Sequence, residues 1–261
     1  MATLNRLRLQ YSLRSLFVFM LVASIGMSWF GAKCRAAREQ RDAVAAIRAL
    51  GAWVSYDYTG RRIHYWRLPP LAAGWPAPPV SPVPAWARRL LGEDFFANVD
   101  EVGPVYPILS VPPYGYQHSP INDACLEQIG KLPRLVLLDL GCSRVSDAGL
   151  RHLRGLTCLR YLNLERNRDV TDGALAEIGT LTHLEVLDLD GTGVTDEGLE
   201  QITGLRDLRY LGVAAPGVSE RGVMRLRRAL PHCEIVWRFP GLRWGLPGPS
   251  QDNSEAGPNA K

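Results

Sequence analysis

From Leu135 to Leu226 the hydrophobic positions recur in one phase. Leu135, Leu138 and Leu140 lead to Val145, Leu150, Leu153 and Leu156. Leu159, Leu162 and Leu164 restart the series, and Val170, Leu175, Ile178 and Leu181 complete it. A third copy runs Leu184, Leu187, Leu189, Val194, Leu199, Ile202, Leu205, and a fourth runs Leu208, Leu211, Val213, Val218, Val223, Leu226. The starts at 135, 159, 184 and 208 are separated by 24, 25 and 24 residues. A half copy precedes them, with Ile121, Leu126, Ile129 and Leu132 one step upstream.

The spacing within a copy predicts its elements. Leu138 and Leu140, two apart, share one face of a short strand. Leu150 and Leu153, three apart, share one face of a short helix. Ser146, Thr171, Thr195 and Ser219 stand where a helix N-cap accepts a bond from a free backbone N–H. The acid after each (Asp147, Asp172, Asp196, Glu220) faces the positive end of the helix dipole. Gly149, Gly198 and Gly222 mark where the first helical turn packs against its neighbour. One copy cannot bury both faces alone, whereas stacked copies share a continuous core. The predicted fold is α/β, a solenoid with parallel strands on the concave side and short helices on the convex side.

The recurring phrase carried by Val145, Ser146, Asp147, Gly149 and Leu150, and again by Val194, Thr195, Asp196, Gly198 and Leu199, resembles the leucine-rich repeat family. Its form is most similar to the subclass of substrate-recognising F-box proteins and many bacterial repeat proteins. The resemblance implies the solenoid fold and a role in protein recognition. It names no partner, because the family binds many unrelated ones.

Upstream, residues 1–15 are basic, with Arg6, Arg8 and Arg14. Residues 16–32 then form an uncharged run from Leu16 to Ala32, about 26 Å long as a helix, near the thickness of a hydrocarbon core. Trp29 and Phe30 close it, where interfacial aromatics are usual. The run reads as an uncleaved transmembrane signal-anchor. A cleaved signal peptide would place Phe30 at the −3 position, where a small residue is wanted. A buried soluble helix is the third reading. Arginines on both sides nearly balance the positive-inside rule, and the repeat domain is placed on the exported side. Cys34 beside the run is a bystander thiol rather than a lipidation site.

Residues 33–67 predict a small α+β module, a helix over Ala36–Leu50 ended by Gly51 and a hairpin of Trp53–Tyr58 with Ile63–Trp66. Residues 68–84 contain seven prolines and form an extended linker. Residues 85–120 are an N-terminal cap with an insertion, in which Val99 and Val102 mark a degenerate first strand. Residues 121–237 are the repeats, closed by a strand within Leu230–Trp237. Residues 238–261 are a disordered tail.

A net charge of +4 gives no warrant for nucleic-acid binding. Of five cysteines, Cys125, Cys142, Cys158 and Cys233 fall at different phases of the repeat, and they read as buried or half-buried free thiols rather than a disulfide framework. The five histidines are isolated, and no phosphate loop, nucleophile elbow or zinc pattern is present. No catalytic residue, metal or cofactor is assigned.

The strand positions that face outward define the candidate surface. The third place of each copy holds Leu137, Tyr161, Val186 and Tyr210; the fifth holds Asp139, Asn163, Asp188 and Gly212; the seventh holds Gly141, Glu165, Asp190 and Ala214. This predicts an apolar ladder with exposed tyrosines beside an acidic patch, on a face open to water. Tyrosine is enriched where partners dock. A carboxylate pair or a calcium site fits the spacing of the acids, but no histidine or cysteine accompanies them. On the helical side Arg151, Arg154, Arg206, Arg225, Arg227 and Arg228 read as a solvated basic face.

These features favour a non-enzymatic, membrane-anchored module that binds a protein partner on its concave surface. A substrate adaptor for a ubiquitin-ligase-like complex is the alternative, and an enzyme sited outside the repeats, at His64 or His118, a more distant one.

Overall fold

The computed structural model describes residues 13–56, 84–104 and 119–237. The first element, α1 (Leu13–Ala49), is one continuous helix of 37 residues. The sequence reading divided it into a membrane run and a separate helix. Nothing breaks it, because Lys33, Cys34 and Arg35 all sustain a helix and no proline intervenes. From Phe17 to Trp29 nearly every side chain is exposed, with Phe17 at 67% and Trp29 at 64%. Beyond them Ala37, Ala43, Val44 and Ile47 are buried. Gly51 follows in the left-handed region, φ 82°, the expected C-terminal cap.

Strand β1 (Ala52–Tyr56) pairs antiparallel with β2 (Val99–Pro104). The proposed hairpin partner Ile63–Trp66 lies outside the described residues, as do the proline-rich stretch, most of the insertion and the tail. Between the two strands in the chain lie α2 (Ala85–Leu91) and α3 (Glu93–Phe96). The end of α1 and β1 share one core with the repeats, and β1 extends their sheet through β2.

The repeats follow as α4 (Asp123–Ile129), β3 (Leu137–Asp139), α5 (Asp147–Leu150), β4 (Tyr161–Asn163), α6 (Asp172–Ile178), β5 (Val186–Asp188), α7 (Asp196–Leu199), β6 (Tyr210–Gly212), α8 (Glu220–Ala229) and β7 (Glu234–Val236). The sheet runs β1 to β7 in chain order, parallel from β2 onward. Val102, Leu138, Leu162, Leu187, Leu211 and Ile235 stand in one register column, all within the core. Each such side chain contributes roughly 1.5–3 kcal/mol by leaving water, which fixes the register.

The caps carry a second, polar ladder. Ser146 and Thr195 accept from the N–H two residues on, and Ser219 from the N–H three residues on. Asp147, Asp172 and Asp196 lie in the first turns of their own helices, as expected, and their carboxylates also reach the next repeat, as does that of Asp123. Asp123 accepts from the N–H of Ser146 at 2.8 Å and from its hydroxyl at 2.6 Å. Asp172 does the same for Thr195, at 2.8 and 2.6 Å. Asp147 serves Thr171 and Asp196 serves Ser219 in the same way. The recurring glycine follows from this: a Cβ on Gly149 would sit 2.2 Å from Asp123 Oδ1, and one on Gly198 2.1 Å from Asp172 Oδ1.

Candidate partner-binding surface

Three alternate positions, two in each strand and one just after it, build the concave face. In the first row Glu101, Leu137, Tyr161, Val186, Tyr210 and Glu234 stand side by side. Leu137, Tyr161 and Val186 form an apolar cluster of their own, with Tyr210 packed against it. The tyrosines were expected to be exposed. Tyr161 is 5% exposed because its register neighbours Leu137 and Val186 flank it on both sides. Tyr210 is half-buried.

The second row is Asp139, Asn163, Asp188 and Gly212. Asp139, 3% exposed, accepts from the N–H of Gly141 at 2.9 Å and from Asn163 Nδ2 at 2.8 Å. Asn163 Oδ1 in turn accepts from the N–H of Glu165, and Asp188 from the N–H of Asp190. In the third row Asp190, also buried, accepts from the N–H of Ala214. Glu165 pairs with Arg166 at 3.4 Å. The acids were expected to be ordinary water-facing carboxylates, yet Asp139 and Asp188 tie strand ends to the loops that follow and Asp190 ties its loop to that of the next repeat. Such N–H groups have no ladder partner where a strand stops, so a carboxylate satisfies them.

Sequence reasoning missed two residues. Glu101 heads the apolar row, 8% exposed, opposite Ser55 on β1 and beside Leu137 on β3. Burial first, then the carboxylates of Asp100 and Asp139, push its carboxyl up to about 8. The signal was hidden by the three-residue spacing of Val99 and Val102, which suits no regular strand. Tyr56 pairs with Val99 and Ser55 with Glu101, so Asp100 is the extra residue of a β-bulge, which turns Glu101 to the concave side. The other is Asn167, 2% exposed, whose Nδ2 donates to the carbonyls of Leu140 and Leu164 at 2.8 and 3.0 Å. Its role is to join consecutive loops.

On the convex side Arg154 pairs with Glu177 at 2.8 Å and Arg225 with Glu200 at 2.6 Å. These bridges link neighbouring repeats in solvent, where each is worth little. All five cysteines are free, and Cys158 is exposed rather than buried. Among the described residues no three His, Cys, Asp or Glu side chains gather as metal ligands.

A profile described as Leucine Rich repeat matches residues 180–202, the stretch that contains β5 and α7. One copy of the repeat is therefore similar to the leucine-rich repeat. Solved structures with similarity include a leucine-rich repeat protein of Leptospira interrogans, 25% identical over 42% of this chain and 27% of its own, with a TM-score of 0.34. An internalin of Listeria monocytogenes is 18% identical over 44% of this chain and 38% of its own, with a TM-score of 0.31. The chain thus spans well under half of either protein. No curated protein matches it.

Proposed function

We propose that the chain is a non-enzymatic, membrane-anchored module whose leucine-rich repeats bind a protein partner on the concave face. The observation that carries the binding half is the register-aligned row of Leu137, Tyr161, Val186 and Tyr210 beside Asn163, Glu165 and Asp188. An apolar strip next to polar side chains is the composition of a recognition surface. The buried members, Tyr161, Asp139 and Asp190, shape it, and the half-buried Tyr210, Asn163, Glu165 and Asp188 meet the partner. The anchoring half rests on residues 16–32, within the one helix among the described residues that is long and apolar enough to cross a membrane. We place the repeats on the exported side.

Two experiments test the reading. A photo-crosslinking amino acid in place of Tyr210 is expected to yield an adduct with a discrete protein in intact cells, and the same group in place of Thr182 on the helical side none. Equal yields from both positions refute concave binding. In carbonate extraction the chain is expected to pellet with membranes, and to lose that behaviour when residues 16–32 are removed. Release of the full chain into the supernatant refutes the anchor.

A further inference from the structure

We infer that α1 is a rigid post, which sets the repeat domain at one height and one rotation above the bilayer. The inference rests on the anchoring of residues 16–32, but its geometry is independent of that reading. From Lys33 to Ala49 the helix contains neither glycine nor proline, the residues that bend or break helices. Its far end is not tethered to the solenoid but enters it. Ala43, Val44 and Ile47 belong to the same core as Val102, Ile121, Leu126 and Ile129, and Ile47 is 0% exposed.

Between core and apolar run the post is clamped along its side. Asp94 accepts from Gln40 Nε2 at 3.2 Å and from the Tyr56 hydroxyl at 2.8 Å, and it pairs with Arg41 at 3.4 Å. One carboxylate thus joins α1, β1 and α3. Gln40 also donates to the Ala97 carbonyl at 2.9 Å. Lower still, the ring of Phe30, inside the apolar run, lies 5.5 Å from the ring of Phe95 in α3. Contacts therefore begin at the edge of the proposed span and continue to Ile47. A flexible tether has no such series. The rise from Ala32 to Ile47 is about 22 Å, and the concave strands are held at the level this fixes.

The test uses the full chain in lipid nanodiscs, with a donor dye on an azide-bearing amino acid replacing Thr157 and an acceptor on lipid headgroups. Seven helix-forming residues inserted after Cys34 add two turns, so they lift the solenoid by about 10 Å with little rotation. The donor–membrane distance is expected to grow by that amount and stay narrow, whereas seven Gly-Ser residues broaden it. An unchanged distance, or equal breadth in the parent and the Gly-Ser variant, overturns the post. Amide exchange of the full chain in detergent supplies a readout that needs no bilayer. Amides of residues 34–47 are expected to exchange as slowly as those of the Leu162 strand, and fast exchange there overturns the post. If the chain fails to co-elute with nanodiscs while exchange stays slow, the anchor reading has failed and the membrane role of the post falls with it.

Discussion

Asp172 holds Thr195 of the following repeat by two bonds at once, to its backbone N–H at 2.8 Å and to its hydroxyl at 2.6 Å. Bonds to a charged acceptor are the stronger kind. This pair is partly buried, whereas the matching pair of Asp147 and Thr171 is exposed. Asp172→Asn is therefore expected to cost about 1.5–3 kcal/mol in urea unfolding of the detergent-solubilised chain, and Asp147→Asn clearly less. Equal costs would mean that the ladder is incidental to repeat stacking.

The glycine that follows each cap is set by the same carboxylate. A Cβ on Gly198 would stand 2.1 Å from Asp172 Oδ1, so Gly198→Ala is expected to cost about 1–3 kcal/mol as overpacking. In an Asp172→Ala background the carboxylate is gone and only the end of the Leu175 side chain, at 2.9 Å, still crowds the site, so the cost is expected to drop. Additive losses in that cycle would show the two positions to be uncoupled. The second copy shows what an alanine there requires: Ala174 stands at the glycine position, the Asp147 carboxylate lies against Gly173 instead, and its two bonds to Thr171 are kept. There α6 continues as a regular helix through Ile178, and Thr171 makes no cap bond to it.

Most of the solenoid was legible because a repeat states its phase many times. Leu138, Leu162, Leu187 and Leu211 stand in the column their spacing implies. What a single sequence hid were relations between copies and exceptions to the phase. Asp147, Asp172 and Asp196 read as dipole partners of their own helices, which they are, and only the next repeat placed beside them shows their second role. The bulge at Asp100 reversed the facing of Glu101, and no periodicity reports a bulge. The junction of the apolar run with the following helix was read as a boundary because composition changes there, although the backbone has no reason to stop. For the candidate surface, the rows were legible from strand alternation, but burial was not. Asp139 and Tyr161 look alike in the sequence whether they face water or neighbours.

Tyr161 and Tyr210 share a row yet differ in burial, which separates shape from contact. Tyr161→Ser is expected to destabilise the chain by about 3 kcal/mol, near the range for emptying a buried aromatic site. Tyr210→Ser is expected to cost less than half of that while lowering the crosslinked yield from a reporter replacing Asp188. Thermal melts of the two variants decide it: equal losses would make Tyr210 core, and no loss for Tyr161 would return it to the surface.

Glu101 makes stability depend on pH in the sense opposite to most carboxylates. Its folded value is pushed up to about 8 by burial and by Asp100 and Asp139, from an ordinary 4.5. Below pH 4.5 both folded and unfolded chains carry the proton, and the group contributes no penalty. Between there and about 8 the unfolded chain releases the proton while the folded chain keeps it, so the folded state loses ground as pH rises. Above about 8 the penalty is complete and constant. Glu101→Gln keeps the shape and the hydrogen-bonding capacity without the titration. The variant is therefore expected to match the parent at pH 4.5 and to melt at a progressively higher temperature than the parent up to pH 8. A difference in melting temperature that stays flat across this window would place the Glu101 carboxyl in water rather than under Ser55 and Leu137.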